Sequence, residues 1–524
     1  MERSQTISAL SGTFDILVIG GGATGLGIAV DAASRGYRIA LVEGGDFAQA
    51  TSSRATKLVH GGVRYLASGQ IHLVTEALHE RALMLKNAPH LVKIQPFITP
   101  TYTWLELPYY AVGLKLYDLI SGKASLGPTQ VLSSKETADR LPGLSTTNLK
   151  GSILYHDGQF DDARFALALA LTAQEEGAVV ANYVRAVQLT KLDGKITGAI
   201  VHDVETGQEI TVRAQVVINA AGIFLDELRG EDQPGLPKLL STSRGTHIVV
   251  DARALGSENA IMVPKTPDGR VIFAIPWLGK VIIGTTDLPS ATVDTEPGHQ
   301  ESEIDYLLET INPYLSEKLT REDVLSVFSG LRPLVTGASG ATSKLSREHF
   351  IDKSPSGLIT VAGGKWTTYR RMAEDALSFA IKAGMLPNAP CKTRDLRLHG
   401  AVLMQDTPEH LRAYGADAPQ VMALEREPGM DEKLDAALPF TVAQVVFAVR
   451  YEMALTVEDV LSRRTRALLL DAEAVRRAAP KVARIMAAEL GKSGQWAQEQ
   501  AASFDVLVCR YYLLGASVPE TVTA

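Results

Sequence analysis

The feature that most constrains this chain is a short apolar strand that runs directly into a glycine-rich turn. Residues 15–19 (DILVI) are followed without a break by residues 20–27 (GGGATGLG). Gly20 allows the tight turn, Gly22 lets backbone amides approach a pyrophosphate, and Gly25 permits close packing of the helix that follows. This order of strand, turn and helix predicts a βαβ unit and places the chain in the α/β class.

The rest of the unit agrees with that prediction. Residues 28–36 continue the helix to a glycine, residues 37–42 form a second apolar strand, and Glu43 follows 18 residues after Gly25. A carboxylate at this position accepts hydrogen bonds from ribose hydroxyls. A glycine-rich turn without a ligand is the alternative, but the complete βαβ context favours a dinucleotide site.

The segment after Glu43 favours FAD over a nicotinamide cofactor. Residues 44–57 (GGDFAQATSSRATK) are small and rich in hydroxyls, whereas a nicotinamide fold usually resumes strand and helix alternation promptly. Such a segment suits close approach to a second phosphate and a flavin ring. Thr51, Ser52 and Ser53 are also good N-caps, so a capped helix start is a second interpretation, compatible with the first.

Five further motifs occur in order along the chain. They are TSSRATKLVHGGVRYL at 51–66, GTHIVV at 245–250, IGTTD at 283–287, SGLRPL at 329–334 and GGKWTTYR at 363–370. Together with the glycine turn they resemble the FAD-dependent, respiratory glycerol-3-phosphate dehydrogenases over residues 14–385. The helical tail also looks like the C-terminal domain of that family.

The resemblance implies an enzyme that oxidises sn-glycerol 3-phosphate to dihydroxyacetone phosphate by hydride transfer to FAD and passes the electrons to a membrane quinone. The implied fold is a Rossmann-like FAD-binding domain of the glucose/D-amino-acid oxidase type, with an antiparallel-sheet substrate domain and a C-terminal helical domain. We predict an FAD-binding domain at 14–90, 150–222 and 358–387, a substrate domain at 91–149 and 223–357, and the helical domain at 388–524.

A phosphorylated substrate requires fixed cations, and arginine is preferred because its planar fork makes two charge-assisted hydrogen bonds to phosphate oxygens. Arg64, Arg332 and Arg347 are the candidates, and by resemblance they line the substrate and flavin cavity together with Tyr65. Each arginine taken singly is also compatible with a surface ion pair. The motif context outweighs that alternative for Arg64 and Arg332, and less so for Arg347.

Oxidation of a secondary alcohol also requires a base for the hydroxyl proton and positive charge near the flavin. His60 and His247 are the histidines inside the glycine-bounded motifs, and a neutral imidazole suits the base. Either could instead be satisfied by backbone groups, and the sequence does not rank the two. Lys365, with the amides of Trp366 and Thr367, is expected to stabilise the reduced flavin. The candidate catalytic set is His60, His247, Arg332 and Lys365.

The cofactor contacts are assigned from the glycine context and the resemblance. Two further turns contribute, one after the strand at 215–218 and one before a helix that starts near Lys365. The predicted contacts are Gly20, Gly22, Thr24, Gly25, Glu43, Thr51, Ser52, Ser53, Lys57, Gly61, Gly62, Val184, Gly222, Gly364, Lys365, Thr367 and Thr368. The sequence contains no metal-binding spacing, nucleophile elbow or P-loop.

The net charge and the cysteine content limit which compartment and which partners we expect. Lys plus Arg is 52 and Asp plus Glu is 59, a net charge of −7 that argues against a general nucleic-acid binder. Cys391 and Cys509 cannot form a disulfide framework, which favours a reducing compartment. The first residues carry no signal-peptide pattern, and no apolar run approaches the ~20 residues needed to span a bilayer. We therefore expect a cytoplasmic protein, peripheral on the cytoplasmic membrane face at most, and compatible with a homodimer.

Membrane contact has one candidate segment in the sequence. Residues 463–484 contain seven basic and two acidic residues, a local charge of 7 − 2 = +5, suited to anionic lipid headgroups or simply to solvent. No long helix with Trp, Phe and Lys arranged as an anchor is evident.

Three other functions compete with the leading one. A glycerol-3-phosphate oxidase using O2 belongs to the same family, but its oxidases tend to carry an insertion that this chain lacks. An FAD-dependent amino-acid oxidase-like enzyme shares the fold but does not require the arginines. A flavoprotein acting on RNA is disfavoured by the acidic balance.

Overall fold

Two β-sheets organise the computed structural model, which describes residues 3–62, 70–263, 266, 269–336 and 349–513. The first sheet has the order β17-β18-β10-β1-β2-β7, with β9 on β10 and β8 on β9. The second has the order β15-β11-β14-β13-β12-β4-β6-β3, with β16 on β11 and β5 on β6. The strands are β1 Thr13–Ile19, β2 Ile39–Val42, β3 Leu58–Val59, β4 Val92–Thr101, β5 Gln130–Ser133, β6 Gly151–Phe160, β7 Val179–Ala181, β8 Val184–Leu192, β9 Lys195–Asp203, β10 Glu209–Asn219, β11 Leu240–Asp251, β12 Ala260–Val263, β13 Ile272–Trp277, β14 Lys280–Gly284, β15 Leu288–Ser290, β16 Val324–Val335, β17 His349–Lys353 and β18 Ile359–Gly363.

The helices lie around and between these sheets. They are α1 Arg3–Ala9, α2 Ala23–Arg35, α3 Ile71–Asn87, α4 Glu106–Ser121, α5 Ser134–Arg140, α6 Asp162–Glu175, α7 Leu225–Asp232, α8 Glu301–Ile311, α9 Tyr369–Lys382, α10 Ala418–Glu425, α11 Val442–Tyr451, α12 Ala467–Leu470, α13 Ala472–Leu490 and α14 Gly494–Val508.

The first sheet has a parallel centre that is buried on both faces. β1 pairs in parallel with β2 and β10, and β10 pairs in parallel with β18. Ile16 and Val18 pack against α2, α6 and α9, whereas Leu17 and Ile19 belong to a core on the opposite face, as the two-residue repeat of a strand requires. The predicted FAD-binding fold is confirmed.

The second sheet is antiparallel except for the parallel pair β4 and β12. β11 pairs with β16 along most of its length and with β14 at its C-terminal half. The segments at 245–250 and 271–286, predicted to form a largely antiparallel sheet, lie in β11, β13 and β14. These strands form the wall on which the candidate substrate residues stand.

The strand pairing divides the chain differently from the predicted segments at three places. β3 falls in the segment 14–90 predicted for the FAD-binding domain, but it pairs with β6 in the second sheet. β6 falls in the segment predicted for the FAD-binding domain, but it pairs with β4 in the second sheet. β17 falls in the segment predicted for the substrate domain, but it forms a hairpin with β18 in the first sheet. The local sequence of a strand does not indicate which sheet the strand joins, because the pairing depends on partners far along the chain.

The C-terminal helices pack on the second sheet. Their core includes Trp277, Ile282 and Phe328 of that sheet, and the predicted helices at 442–453 and 472–490 are confirmed as α11 and α13. The C-terminal helices therefore cover part of the face of the second sheet on which the candidate site lies.

Three of the seven basic residues at 463–484 are buried and do not contribute to a cationic surface. Arg463 and Arg464 are buried and both pair with Asp46, and Arg466 is buried against Asp162. The remaining pairs include Arg476–Asp505, Arg477–Asp435 and Lys481–Glu432. The expected lipid-facing charge is wrong for the three arginines because they are used to join the C-terminal helices to the loop that follows β2 and to the start of α6.

An apolar helix that the sequence analysis missed packs on the second sheet at the end formed by β12, β4 and β6. α4 buries Ala111 and Leu114 against that sheet, while Leu105, Tyr109, Val112 and Leu119 on its outer side are exposed, along with Trp104 and Leu116. Because both sides are apolar, the helix lacks the polar face by which amphipathic anchors are recognised. Among the helices described, none combines the length and the apolarity needed to cross a membrane.

Candidate active site

The glycine turn has the geometry that a pyrophosphate site needs. Gly20 has φ +118°, and a Cβ there would lie 2.4 Å from the Ala220 carbonyl oxygen. A Cβ at Gly25 would lie 1.9 Å from the Gly20 carbonyl oxygen, so α2 can start only against a glycine. Gly22 is the N-cap of α2 and provides no side-chain cap, which leaves the helix N-terminus suited to an anion. These residues fit the diphosphate of FAD, and Thr24 lies in the same first turn.

Glu43 stands at the end of β2, beside this turn. Its two carboxylate oxygens accept hydrogen bonds from the N–H groups of Gly21 (2.6 Å) and Gly45 (2.9 Å), and burial raises the pKa of the carboxyl. Val184 donates its backbone N–H to the Glu43 carbonyl oxygen at 2.7 Å. Glu43 and Val184 are thus neighbours at the edge where the adenosine half of the cofactor is expected.

The segment Thr51–Ser53 connects three parts of the fold. Thr51 donates its hydroxyl to the Leu331 carbonyl oxygen of β16 at 2.7 Å, and Ser52 accepts the Ala23 N–H of α2 at 3.0 Å. The indole N–H of Trp366 donates to the Ser52 carbonyl oxygen at 2.9 Å. The predicted N-cap role is wrong, because Thr51–Ser53 themselves form a 3-10 turn that is preceded by Ala50 and has no side-chain cap. The segment lies beside the turn that carries Gly364, Lys365, Thr367 and Thr368, and its contact with the cofactor stays a prediction.

A row of glycines clears space on one face of the second sheet. His247 and Phe328 are paired across β11 and β16, and Arg332 lies on the same face four residues along. A Cβ at Gly245 would lie 2.3 Å from Arg332 Nη2, and a Cβ at Gly284 would lie 2.2 Å from His247 Cδ2. The glycines of two family motifs are thus explained by the room that these two side chains occupy.

His247 is held as a neutral imidazole. Its side chain is buried, its Nε2 lies 3.0 Å from Thr56 Oγ1, and its ring stacks on Phe328 with 4.6 Å between centroids. Burial, followed by the positive charges of Lys57 and Arg332, lowers the pKa of His247 well below its usual value. A neutral imidazole can accept a proton, as a general base must.

Lys57 belongs to the same cluster, although the sequence assigned it only to the cofactor. Its Nζ lies 2.7 Å from Asp162 Oδ2 and 5.1 Å from the centre of the Phe328 ring. Burial lowers the pKa of Lys57 to about 7 despite the Asp162 carboxylate. The sequence analysis missed three residues of this cluster. Thr56 stands in the quoted motif at 51–66 but was given no role, and Asp162 and Phe328 lie outside the quoted motifs.

Arg332 is oriented by three acceptors. Its Nη1 lies 3.1 Å from Asp287 Oδ1, and its Nη2 donates to Thr285 Oγ1 at 3.2 Å and to the Thr286 carbonyl oxygen at 3.1 Å. Asp287 also accepts the hydroxyl of Ser243. Asp287 stands in the quoted motif at 283–287 but was given no role, and the structure makes it the residue that positions this guanidinium.

The remaining predicted residues are dispersed. His60 follows β3 and is half-buried, and the N–H of its neighbour Gly61 donates to the Tyr117 hydroxyl at 2.8 Å. Gly62 has φ +79° and Gly222, at the end of β10, has φ +57°. The predicted substrate residues Arg64, Tyr65 and Arg347 lie outside the described residues. His247, Lys57 and Arg332 are the candidates that the described structure brings onto one face. Across the same described ranges, no cluster of three or more His, Cys, Asp or Glu side chains suits a metal ion.

Comparisons with known proteins agree with the FAD-binding fold. A family model described as FAD dependent oxidoreductase matches residues 15–370, and one for the C-terminal domain of alpha-glycerophosphate oxidase matches residues 359–500. The chain is 43% identical to mitochondrial glycerol-3-phosphate dehydrogenase of Homo sapiens, over 95% of this chain and 74% of that protein. It is 40% identical to the mitochondrial enzyme of Arabidopsis thaliana, over 93% and 85% of the two chains. The solved glycerol-3-phosphate dehydrogenase of Bacillus halodurans, complexed with FAD, superposes with a TM-score of 0.80 at 31% identity over 99% of both chains.

Proposed function

Because the chain belongs to the family of FAD-dependent glycerol-3-phosphate dehydrogenases and uses FAD to oxidise glycerol 3-phosphate, we propose that it passes the two electrons to a membrane quinone. The substrate is the sn-glycerol 3-phosphate enantiomer and the product is dihydroxyacetone phosphate. Bound FAD supplies the hydride acceptor for this reaction.

The residues on and beside the second sheet have different roles in this reaction. His247 takes the proton of the C2 hydroxyl on its unprotonated ring nitrogen, and Thr56 Oγ1, 3.0 Å from Nε2, holds the ring in orientation. Arg332 binds the phosphate, since its guanidinium is placed by Asp287 and lies beside the imidazole. Lys57 contributes positive charge behind the ring of Phe328. The observation that carries this proposal is the glycine-cleared face, which holds a neutral imidazole and a guanidinium side by side.

A comparison of three substrates tests the proposal. Reduction of a soluble dye should be driven by glycerol 3-phosphate, weakly by glycerol and not by glycine, because only the first offers a phosphate to Arg332. Turnover of glycine at a comparable rate would favour an amino-acid oxidase instead. If glycerol is turned over as efficiently as glycerol 3-phosphate, Arg332 does not recognise the phosphate.

The outer face of α4 supports contact with the membrane that holds the quinone. Leu105, Tyr109, Val112 and Leu119 follow one another at spacings of four, three and seven residues, which keeps them on one side of a helix, and these residues are 68–84% exposed. Trp104, which precedes the helix, is 69% exposed and lies 5.7 Å from Lys150 Nζ, a pairing suited to the headgroup region. We therefore propose that the protein contacts the cytoplasmic membrane face through α4 and not through residues 463–484.

Vesicle binding tests the role of α4. The double variant Val112→Glu/Leu119→Glu should lose co-sedimentation with phosphatidylglycerol-containing vesicles and lose activity with a long-chain quinone, while soluble-dye activity stays near wild type. Leu192→Glu changes a residue that is 67% exposed on β8 and is the matched control. Vesicle binding that survives in the double variant would contradict this surface.

A further inference from the structure

A cavity of about 350 Å³ lies where the second sheet, α6 and the C-terminal helices meet. Its walls are mostly apolar and include Leu91, Phe160, Trp277, Leu278, Tyr414 and Phe440. Lys93, Glu409 and Arg412 stand at its rim. Of the described residues that line it, none is among those assigned above to FAD or to glycerol 3-phosphate. A concave, largely apolar cavity of this size with a few polar groups is typical of a small-molecule site.

Four polar side chains in this cavity have buried atoms without hydrogen-bond partners among the described residues. They are Nε of Arg164, Oε1 of Gln159, Nδ1 of His90 and Nε of Arg466, and each of these residues is more than nine-tenths buried. Of these atoms, Arg466 Nε lies 3.2 Å from the Asp161 carboxylate. A buried polar atom costs free energy unless it is paired. Arg164 offers a charged donor and Gln159 an acceptor, so the missing partner has both an acceptor and a donor.

The cations at the rim of the cavity favour an anion. Lys93 and Arg412 stand there with one acid, Glu409, whereas two arginines deeper in the lining are already ion-paired, Arg464 with Asp46 and Arg466 with Asp161 and Asp162. Arg164 pairs with Glu452 at 2.6 Å and lies 4.4 Å from the centre of the Tyr414 ring, which fixes its guanidinium in place. Burial lowers the pKa of His90 to about 3, so the imidazole is neutral.

We propose that this cavity binds a small organic anion, a hydroxylated aromatic carboxylate, as an effector of the enzyme. The carboxylate pairs with the guanidinium of Arg164, the hydroxyl donates to Gln159 Oε1, and the ring packs against the aromatic wall formed by Trp277 and Phe440. This ligand satisfies both kinds of unpaired atom and fills the apolar space.

The cavity is connected to the active site through two of its own lining residues. Arg466 donates to the Ser53 carbonyl oxygen and to Asp162, each at 2.8 Å, and Lys57 uses the same two acceptors. The ring of Trp277 lies 5.5 Å from Lys57 Nζ. An occupant that touches Trp277 or Arg466 therefore alters the surroundings of Lys57, and we expect it to change the turnover rate and not the affinity for glycerol 3-phosphate.

Calorimetric titration of the FAD-loaded enzyme tests the chemistry of the ligand. The probes are 6-hydroxy-2-naphthoate, 2-naphthoate without the hydroxyl, and 2-naphthol without the carboxylate. The first should bind most tightly, loss of the hydroxyl should weaken binding about 3- to 10-fold, and loss of the carboxylate about 10- to 100-fold. Equal binding of 2-naphthol, or no binding of any probe, would overturn the proposal.

Cavity variants locate the binding. Ala413→Trp fills the cavity without removing a charge and should abolish binding of 6-hydroxy-2-naphthoate, whereas Ala436→Trp, at an exposed position nearby, should bind as wild type. If Ala413→Trp does not fold, Gln159→Leu should retain 2-naphthoate binding and lose the advantage of the hydroxyl. Binding that persists in Ala413→Trp, or inhibition that glycerol 3-phosphate fully competes away, would contradict a separate site.

Discussion

The glycine turn at the start of the first sheet and the substrate face of the second sheet differ in how they are assembled. The turn is contiguous. An added Cβ would lie 2.4 Å from a backbone oxygen at Gly20 and 1.9 Å from one at Gly25, and Gly22 stands where the cofactor phosphate is expected. The face joins His247 and Arg332 from two strands with Lys57 from a distant loop. A substitution in the contiguous turn should exclude the cofactor sterically. A substitution on the assembled face should remove a reacting or binding group while the cofactor stays bound.

The largest effect is expected at Gly25. In Gly25→Val the added Cβ would overlap the Gly20 carbonyl oxygen at 1.9 Å, so the turn cannot close and FAD should be lost together with all activity. Visible absorbance of the purified protein measures this loss. Gly230→Ala is the control, since an added Cβ there meets nothing within 4 Å. A Gly25→Val protein with its full flavin complement would contradict the site.

The second effect is expected at His247, where FAD should be retained. His247→Asn should slow anaerobic flavin reduction by glycerol 3-phosphate on the order of 10²-fold or more, because the proton acceptor is removed. His60→Asn should slow it less, since His60 follows β3, whereas His247 stands on the glycine-cleared face of β11. Rapid-mixing absorbance measures both rates. The reverse order would make His60 the base.

A smaller effect, specific to the substrate, is expected at Arg332. A charged hydrogen-bonding partner contributes about 1.5 to 3 kcal/mol, so Arg332→Ala should lower kcat/KM for glycerol 3-phosphate about 10- to 100-fold. The value for unphosphorylated glycerol should barely change. Arg253→Ala, at an exposed arginine after β11, is the matched control. Equal losses for the two substrates would show that Arg332 does not recognise the phosphate.

The smallest effect is a change in pH dependence. Protonated Lys57 lowers the pKa of His247, and the pKa of Lys57 is about 7, so His247 becomes a stronger base as the pH rises through that value. The rate of flavin reduction should therefore rise several-fold near pH 7. In Lys57→Met this step should disappear, because no charge is left to titrate. A step that persists unchanged would assign it to another group.

The same comparison explains what the sequence could and could not predict. The strand, turn and acid from Asp15 to Glu43 are local, so spacing alone predicts their geometry. The roles of His247 and Arg332 came from motif resemblance, whereas their partners Phe328 and Asp287 emerge only when β11, β14 and β16 pair. Exposure was the weakest prediction. Three of the seven basic side chains at 463–484 are buried, and the exposed apolar face of α4 was missed, because composition contains no information about tertiary burial.

The most direct test of the account is a two-stage anaerobic experiment on the FAD-loaded enzyme. Mixing with sn-glycerol 3-phosphate should bleach the flavin stoichiometrically with formation of dihydroxyacetone phosphate. Adding a short-chain quinone should then restore the flavin absorbance much faster than air-saturated buffer does. Faster recovery with oxygen would identify an oxidase, and failure of glycerol 3-phosphate to bleach the flavin would contradict the assigned reaction itself.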